Sequence, residues 1–246
     1  MKVNHERMTE LDIRLFIIAV VPAISIAIAV YLSDRYDREP ISLLFKTFVF
    51  GALSVIPVIV VERFISMFNV FTGLLSAAYT GFIVAGFTEE YFKRLVVIKL
   101  MCKSKYFDEK LDGIVYAVFS ALGFATVENI MYVVFRFSYN PYIGLYRGVL
   151  SVPAHAIFGV TMGYYLSLTK FASNKARERA NFKKSLYIPM FLHGTFNFIL
   201  MAGIPEAGIV IAIYAVYLWI SNQKKLNTYI FDSYSRFDKI NYDDEE

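Results

Sequence analysis

Residues 71–101 read FTGLLSAAYTGFIVAGFTEEYFKRLVVIKLM. From Phe71 to Phe87 the stretch carries no charge. The adjacent carboxylates Glu89 and Glu90 follow, then Lys93 and Arg94, before apolar residues resume at Leu95. An apolar helix of about 20 residues crosses the hydrocarbon core of a bilayer. Ionisable side chains at that depth cost roughly 2.5–3.5 kcal/mol each on insertion scales. A chain that keeps a carboxylate pair there is using it, so the pair marks a candidate site inside a membrane. Adjacent helix positions project about 100° apart, so at most one of the two carboxylates points squarely into a shared cavity. Lys93 reaches either carboxylate from the same helix face. An interfacial ion pair, with Lys93 and Arg94 snorkelling to the membrane surface, is the structural alternative.

The remainder of the chain is of the same kind. Its 246 residues are 57% hydrophobic and 19% charged, with mean hydropathy +0.49, against about 45–50% apolar and about 25% charged in soluble domains. Other apolar runs fall near 15–33, 43–61, 114–137, 142–169, 186–203 and 207–221. They predict an all-α, polytopic transmembrane helical bundle of about seven spans. Six to eight are defensible, because 71–101 reads either as one tilted span or as a span ending near Phe87 plus an interfacial helix. Residues 1–221 form one membrane domain, and 222–246 a polar cytosolic tail ending in Asp243-Asp244-Glu245-Glu246. The first run follows a mixed-charge leader and is too long for a secretory signal core, so it reads as a span.

Basic residues concentrate in two loops. Residues 102–112 carry Lys103, Lys105 and Lys110, and 170–184 carry Lys170, Lys175, Arg177, Arg179, Lys183 and Lys184. Two spans separate them, which places both on one side, and the positive-inside rule makes that side cytosolic. Seven spans then put the N-terminus outside. A net charge of +4, with basic residues concentrated in loops between the apolar runs, reads as a topology signal and implies no nucleic-acid partner. A single cysteine, Cys102, excludes an intrachain disulfide.

Later spans carry further polar groups. Glu128 lies near mid-membrane in Phe124-Ala-Thr-Val-Glu128-Asn129 and needs a partner or a proton there. His155 follows Ser151-Val-Pro-Ala, and His193 and Asn197 share a helix face four residues apart. Taken singly, each could be interhelical polar glue. As a set on separate spans they point to chemistry: carboxylate as base, imidazole as proton carrier, amide as oxyanion donor. Gly159-x-x-x-Gly163 is a small-residue contact for close helix packing.

In order and spacing, Glu89-Glu90-x-x-Lys93, Phe124-x-x-x-Glu128-Asn129, His155 with Phe158-Gly159, and His193-x-x-x-Asn197 resemble the PrsW family of membrane proteases. Asp34-Arg35-Tyr36-Asp37-Arg38-Glu39-Pro40 is similar to that family's segment ending in Glu-Pro. The resemblance covers roughly residues 11–220. It implies a polytopic endopeptidase of the bacterial plasma membrane, related to the CAAX prenyl endopeptidase and bacteriocin-processing group. It further implies a first cut in a single-span, membrane-bound anti-sigma factor, leading to release of a sigma factor. The wider group usually ends its second motif in histidine, where this chain has Glu128.

The residues themselves favour hydrolysis without a covalent intermediate, since no GxSxG surrounds a serine. Glu89 or Glu90 deprotonates water, His155 or His193 orients it or protonates the leaving amine, and Asn197 holds the oxyanion. No cofactor is required by that scheme. A zinc variant would use His155, His193 and Glu128 as ligands. Two other readings compete: a transporter passing protons or cations along Glu89, Glu90 and Glu128, and a non-catalytic membrane adaptor. The lack of repeated halves counts against the first, and the complete polar set against the second.

Overall fold

The computed structural model describes residues 2–102, 104–136, 142 and 148–243. Lys103, residues 143–147 of the fifth apolar run, and Asp244, Glu245 and Glu246 of the acidic tail lie outside them. Every regular element among the described residues is helical, as the apolar runs predict. Helix α1 spans Lys2–Ser33, α2 Ile41–Leu53, α3 Val55–Ser66, α4 Gly73–Ala78, α5 Thr88–Leu100 and α6 Lys110–Ile130. Helices α7 (Ser151–Lys170), α8 (Lys175–Met201) and α9 (Ala207–Asp243) complete the order. Among the described residues, three stretches, Ile13–Ser33, Ile41–Ser66 and Lys110–Arg136, are long and apolar enough to cross a membrane.

Outward faces are apolar, as lipid contact demands. On α1, Ile17, Ile24 and Ile28 are exposed while Leu15, Ala19 and Ala23 are buried. The core centres on α6, whose residues from Leu111 to Thr126 are all buried, and α2 and α7 flank it. Small residues permit this. A Cβ on Gly163 of α7 would stand 2.1 Å from the Gly113 carbonyl oxygen of α6, so the two backbones touch there. The Gly159-x-x-x-Gly163 stripe therefore packs against another helix, as its spacing predicts.

Within the 71–101 run, residues 73–100 are helical without a break. Between α4 and α5, residues Tyr79–Phe87 are wound as π-helix. The wider turn brings Gly81 and Gly86 against the backbone of α8 near Gly194, and π-turns of this kind recur at functional sites. Asn174 caps α8 by accepting the Arg177 N–H, and Gly203 ends it in the left-handed conformation with φ 65°.

The basic loops do share one end of the bundle. Lys170 Nζ lies 3.4 Å from the Ser104 carbonyl. The polar segment after Ser221 continues α9 as helix and joins the same end, where Lys110 pairs with Asp232 at 2.9 Å and Arg236 with Asp108 at 3.4 Å.

Candidate active site

Glu89 and Glu90 open α5 immediately after the π-helical turn, one helical turn before Lys93. All three are buried, Lys93 completely. The Lys93 ammonium spends its three donors within the site: on Glu89 Oε2 at 3.0 Å, Glu90 Oε1 at 2.9 Å and His155 Nδ1 at 2.9 Å. Its fourth neighbour is the Phe124 ring, with the centroid 4.3 Å away. An ammonium only donates, so His155 Nδ1 must accept. The proton of a neutral His155 is then on Nε2, which donates to Glu128 Oε2 at 3.0 Å.

His193 is oriented from the other side. Its Nδ1 lies 2.9 Å from Glu90 Oε1, a carboxylate oxygen that accepts, so Nδ1 carries the proton. Its Nε2 stands 3.9 Å from Glu89 Oε2, beyond hydrogen-bond range. Phe158 stacks on the His193 ring at 4.9 Å, and the two imidazoles meet edge to face at 5.2 Å. Glu90 and Lys93 thus hold the groups that Glu89, His155 and His193 present.

A cavity of about 1030 Å³ adjoins them. Glu89, Glu128, His155, His193 and Asn197 line it and Glu90 does not. The helix-phase expectation that at most one of the two adjacent carboxylates enters the cavity holds, and the structure selects Glu89. Glu62 of α3 also lines this space. Its signal in the sequence is weak, because Glu62-Arg63 directly follows the 43–61 apolar run, where charge at a membrane surface is ordinary. Phe124 and Phe158 were legible as motif positions but not as the walls that hold Lys93 and His193.

The cavity walls extend through Arg63, Ser66, Thr80, Arg136 and Met201. Ser66 ends α3 and Met201 ends α8, at the end of the bundle opposite the basic loops.

Residues 39–221 match a family described as PrsW family intramembrane metalloprotease. The chain belongs to this family. It is 43% identical over 218 residues to Protease PrsW of Clostridioides difficile (strain 630), covering 88% of this chain and 91% of that protein. Identity to Protease PrsW of Bacillus subtilis (strain 168) is 35% over 183 residues, 74% of this chain and 81% of that one. Protease PrsW of Geobacillus kaustophilus (strain HTA426) is 33% identical over 207 residues, with coverages of 84% and 88%. No solved structure matches. This PrsW-family chain is therefore a membrane-embedded peptidase.

The metal in the PrsW family description can be weighed against the donors present. Glu89, His155 and His193 each offer a ligand atom, all within 4.8 Å of one another, and all three residues are buried. Two imidazoles and a carboxylate suit a catalytic zinc. Glu90 on His193 Nδ1 is the kind of outer carboxylate that steadies a ligating histidine. Glu128, a ligand candidate by sequence, is not in the converging trio. It bonds the far nitrogen of His155 instead. Lys93 meanwhile occupies a lone pair on two of the three donors, so a metal ion and this ammonium compete for Glu89 and His155.

Proposed function

We propose that the chain makes the first cut in a single-span, membrane-bound anti-sigma factor, in the bacterial plasma membrane, and so starts sigma-factor release. The observation that carries the hydrolytic reading is the convergence of Glu89, His155 and His193 on one cavity, each held from behind by a named partner. In this reading the chain crosses seven times, with the 34–40 link, the 101–109 loop, the 171–174 loop and the end of α9 at the basic end; the contacts of Lys170 with Ser104, Lys110 with Asp232 and Arg236 with Asp108 support that grouping. By the positive-inside rule that end is cytosolic. The cavity wall at Ser66 and Met201 then belongs to the extracytoplasmic side, where a first cut is needed.

Glu89, the cavity-facing carboxylate, takes a proton from water as the oxygen attacks the scissile carbonyl carbon. The resulting oxyanion is met by Asn197, whose amide lines the same cavity. The C–N bond then breaks and the departing amine takes up the proton held at Glu89. Lys93 holds Glu89 close, while Glu128 fixes the imidazole of His155 beside it. Were the family's metal bound, Glu89, His155 and His193 would hold it, with Glu89 then a ligand in place of the base, and zinc would supply an acidified water and a polarised carbonyl. General base assistance contributes about 10²–10⁴-fold and one oxyanion donor about 10²–10³-fold. Substrate positioning in the long cavity supplies the remainder.

The test is cleavage of single-span anti-sigma factors by purified protein in liposomes, comparing wild type with Glu89→Gln, with and without a chelator. Cleavage by wild type alone is expected. Loss on chelation with recovery on zinc would assign the trio to a metal. Cleavage by Glu89→Gln at the wild-type rate would end the proposal.

A further inference from the structure

A second cluster of buried ionisable groups lies far from this cavity, at the basic end. Asp34 and Glu39 sit in the link between α1 and α2, Glu109 precedes α6, and Asp112 is in its first turn. All four are more than nine-tenths buried. Each of the four is met by a donor, and Glu109 accepts the Asp112 N–H in a reciprocal capping box. Asp34 Oδ2 accepts the Glu39 N–H. Asp112 Oδ2 accepts the N–H groups of Asp108 and Glu109 at 2.9 and 2.7 Å. Glu39 Oε2 accepts the Tyr116 hydroxyl. Asp34 Oδ1, Glu109 Oε1 and Asp112 Oδ1 are buried with no hydrogen-bond partner among the described residues.

Such oxygens call for a positive ligand, because a buried carboxylate without a compensating charge is costly. The described neighbouring cations have other partners, and Arg236 is also within Coulombic range of Glu109. Lys110 pairs with Asp232 of α9, Arg236 of α9 with Asp108, and Arg38 of the link lies over the Tyr31 ring within Coulombic range of Asp34. Asp37 adds another negative charge facing Asp34, Glu39 and Glu109, and Ser233 of α9 faces Glu109. Asp112 is within Coulombic range of Glu39, Glu109 and Asp34. Among the described residues, the one trio of metal-type donors within 4.8 Å of one another is at the active site. The ligand this cluster suits is the proton.

We propose that Asp34, Glu39, Glu109 and Asp112 share protons in a latch that holds the α1–α2 link against the start of α6 and loosens as the basic end becomes alkaline. The link runs directly into α2, since Pro40 accepts the first N–H groups of that helix. It also touches α9, where Tyr36 packs on Tyr234 and Phe237 at 5.3 and 5.7 Å. Burial pushes Asp34 up to about 6, Glu39 to about 8 and Glu109 to about 7. Unfolded carboxylates release their protons near pH 4. Between about pH 4 and about pH 8 the latched state therefore binds more protons, and its stability falls as pH rises through that window.

The experiment is thermal unfolding of the full chain in detergent from about pH 5.5 to about pH 8.5, for wild type, Glu39→Gln and Asp112→Asn, whose amides mimic the protonated acids. Wild type should lose about 4 °C or more of Tm across the range, and each variant should flatten that slope. Hydrogen exchange at 34–40 and 108–116 in wild type, corrected for intrinsic rate, should rise about tenfold or more over the same range, a readout that needs no variant to fold. Variants that keep the wild-type slope, or unchanged exchange, would overturn the latch. A wild-type Tm raised by calcium or magnesium at high pH, and not in Glu39→Gln, would overturn it in favour of a metal site.

Discussion

The Lys93 ammonium donates to His155 Nδ1 across 2.9 Å, and that bond decides which nitrogen of His155 carries the proton. It ties the second helical turn of α5 to α7 through a group that also grips both glutamates. Lys93→Gln should cost about 3–5 kcal/mol of stability by leaving buried carboxylates without their counter-charge. It should also lower kcat by about 10² or more. Arginine should rescue poorly, because a planar guanidinium cannot reach three acceptors placed around one nitrogen. Unfolding of the variants beside single-turnover cleavage checks both.

Glu89 and Glu90 are neighbours in different surroundings: Glu89 lines the cavity and Glu90 does not. Glu89→Gln should reduce kcat/KM by about 10²–10⁴-fold, the range for loss of a general base. Glu90→Gln should lower kcat by about 10–100-fold with little change in KM, since Glu90 acts through His193. Equal losses in the two variants would place both carboxylates at the substrate.

Glu128 accepts from His155 Nε2, so an amide oxygen can replace its carboxylate oxygen. Glu128→Gln should retain most activity, while Glu128→Ala should lose about 10–100-fold. Proton flux in liposomes should be absent from both and from wild type. Flux abolished in Glu128→Gln would instead revive a transport role.

Helix contact at Gly163 leaves no room for a side chain. Gly163→Val should cost about 1–3 kcal/mol or more through overpacking against Gly113, while Gly208→Ala, with open space around it, should be tolerated. Monodisperse yield in detergent and Tm distinguish the two.

Much of this molecule was legible in one dimension. Insertion into a bilayer is governed by local apolar length, so the runs at 15–33, 43–61 and 114–137 correspond to the three stretches able to cross. Membrane-depth charges are costly wherever they occur, so Glu89, Glu90, Glu128, His155 and His193 stood out before any packing was known. Division of labour between Glu89 and Glu90 was not legible. It depends on the phase of α5, which the π-helical turn at Tyr79–Phe87 resets by a rotation that no hydrophobic period reports. Glu62 stayed hidden for a related reason: its cavity position comes from where α3 crosses α5 and α6, not from its own surroundings in the chain. The basic-end carboxylates lie in a polar link and at a helix start, where charge is ordinary. Only the docking of α9 and the α1–α2 link onto α6 buries them. Hydropathy is a sum over neighbours in sequence, which the chain states by itself. Burial of a charge and the partner that answers it are set by helices that meet from distant parts of the chain, and tertiary structure alone decides those.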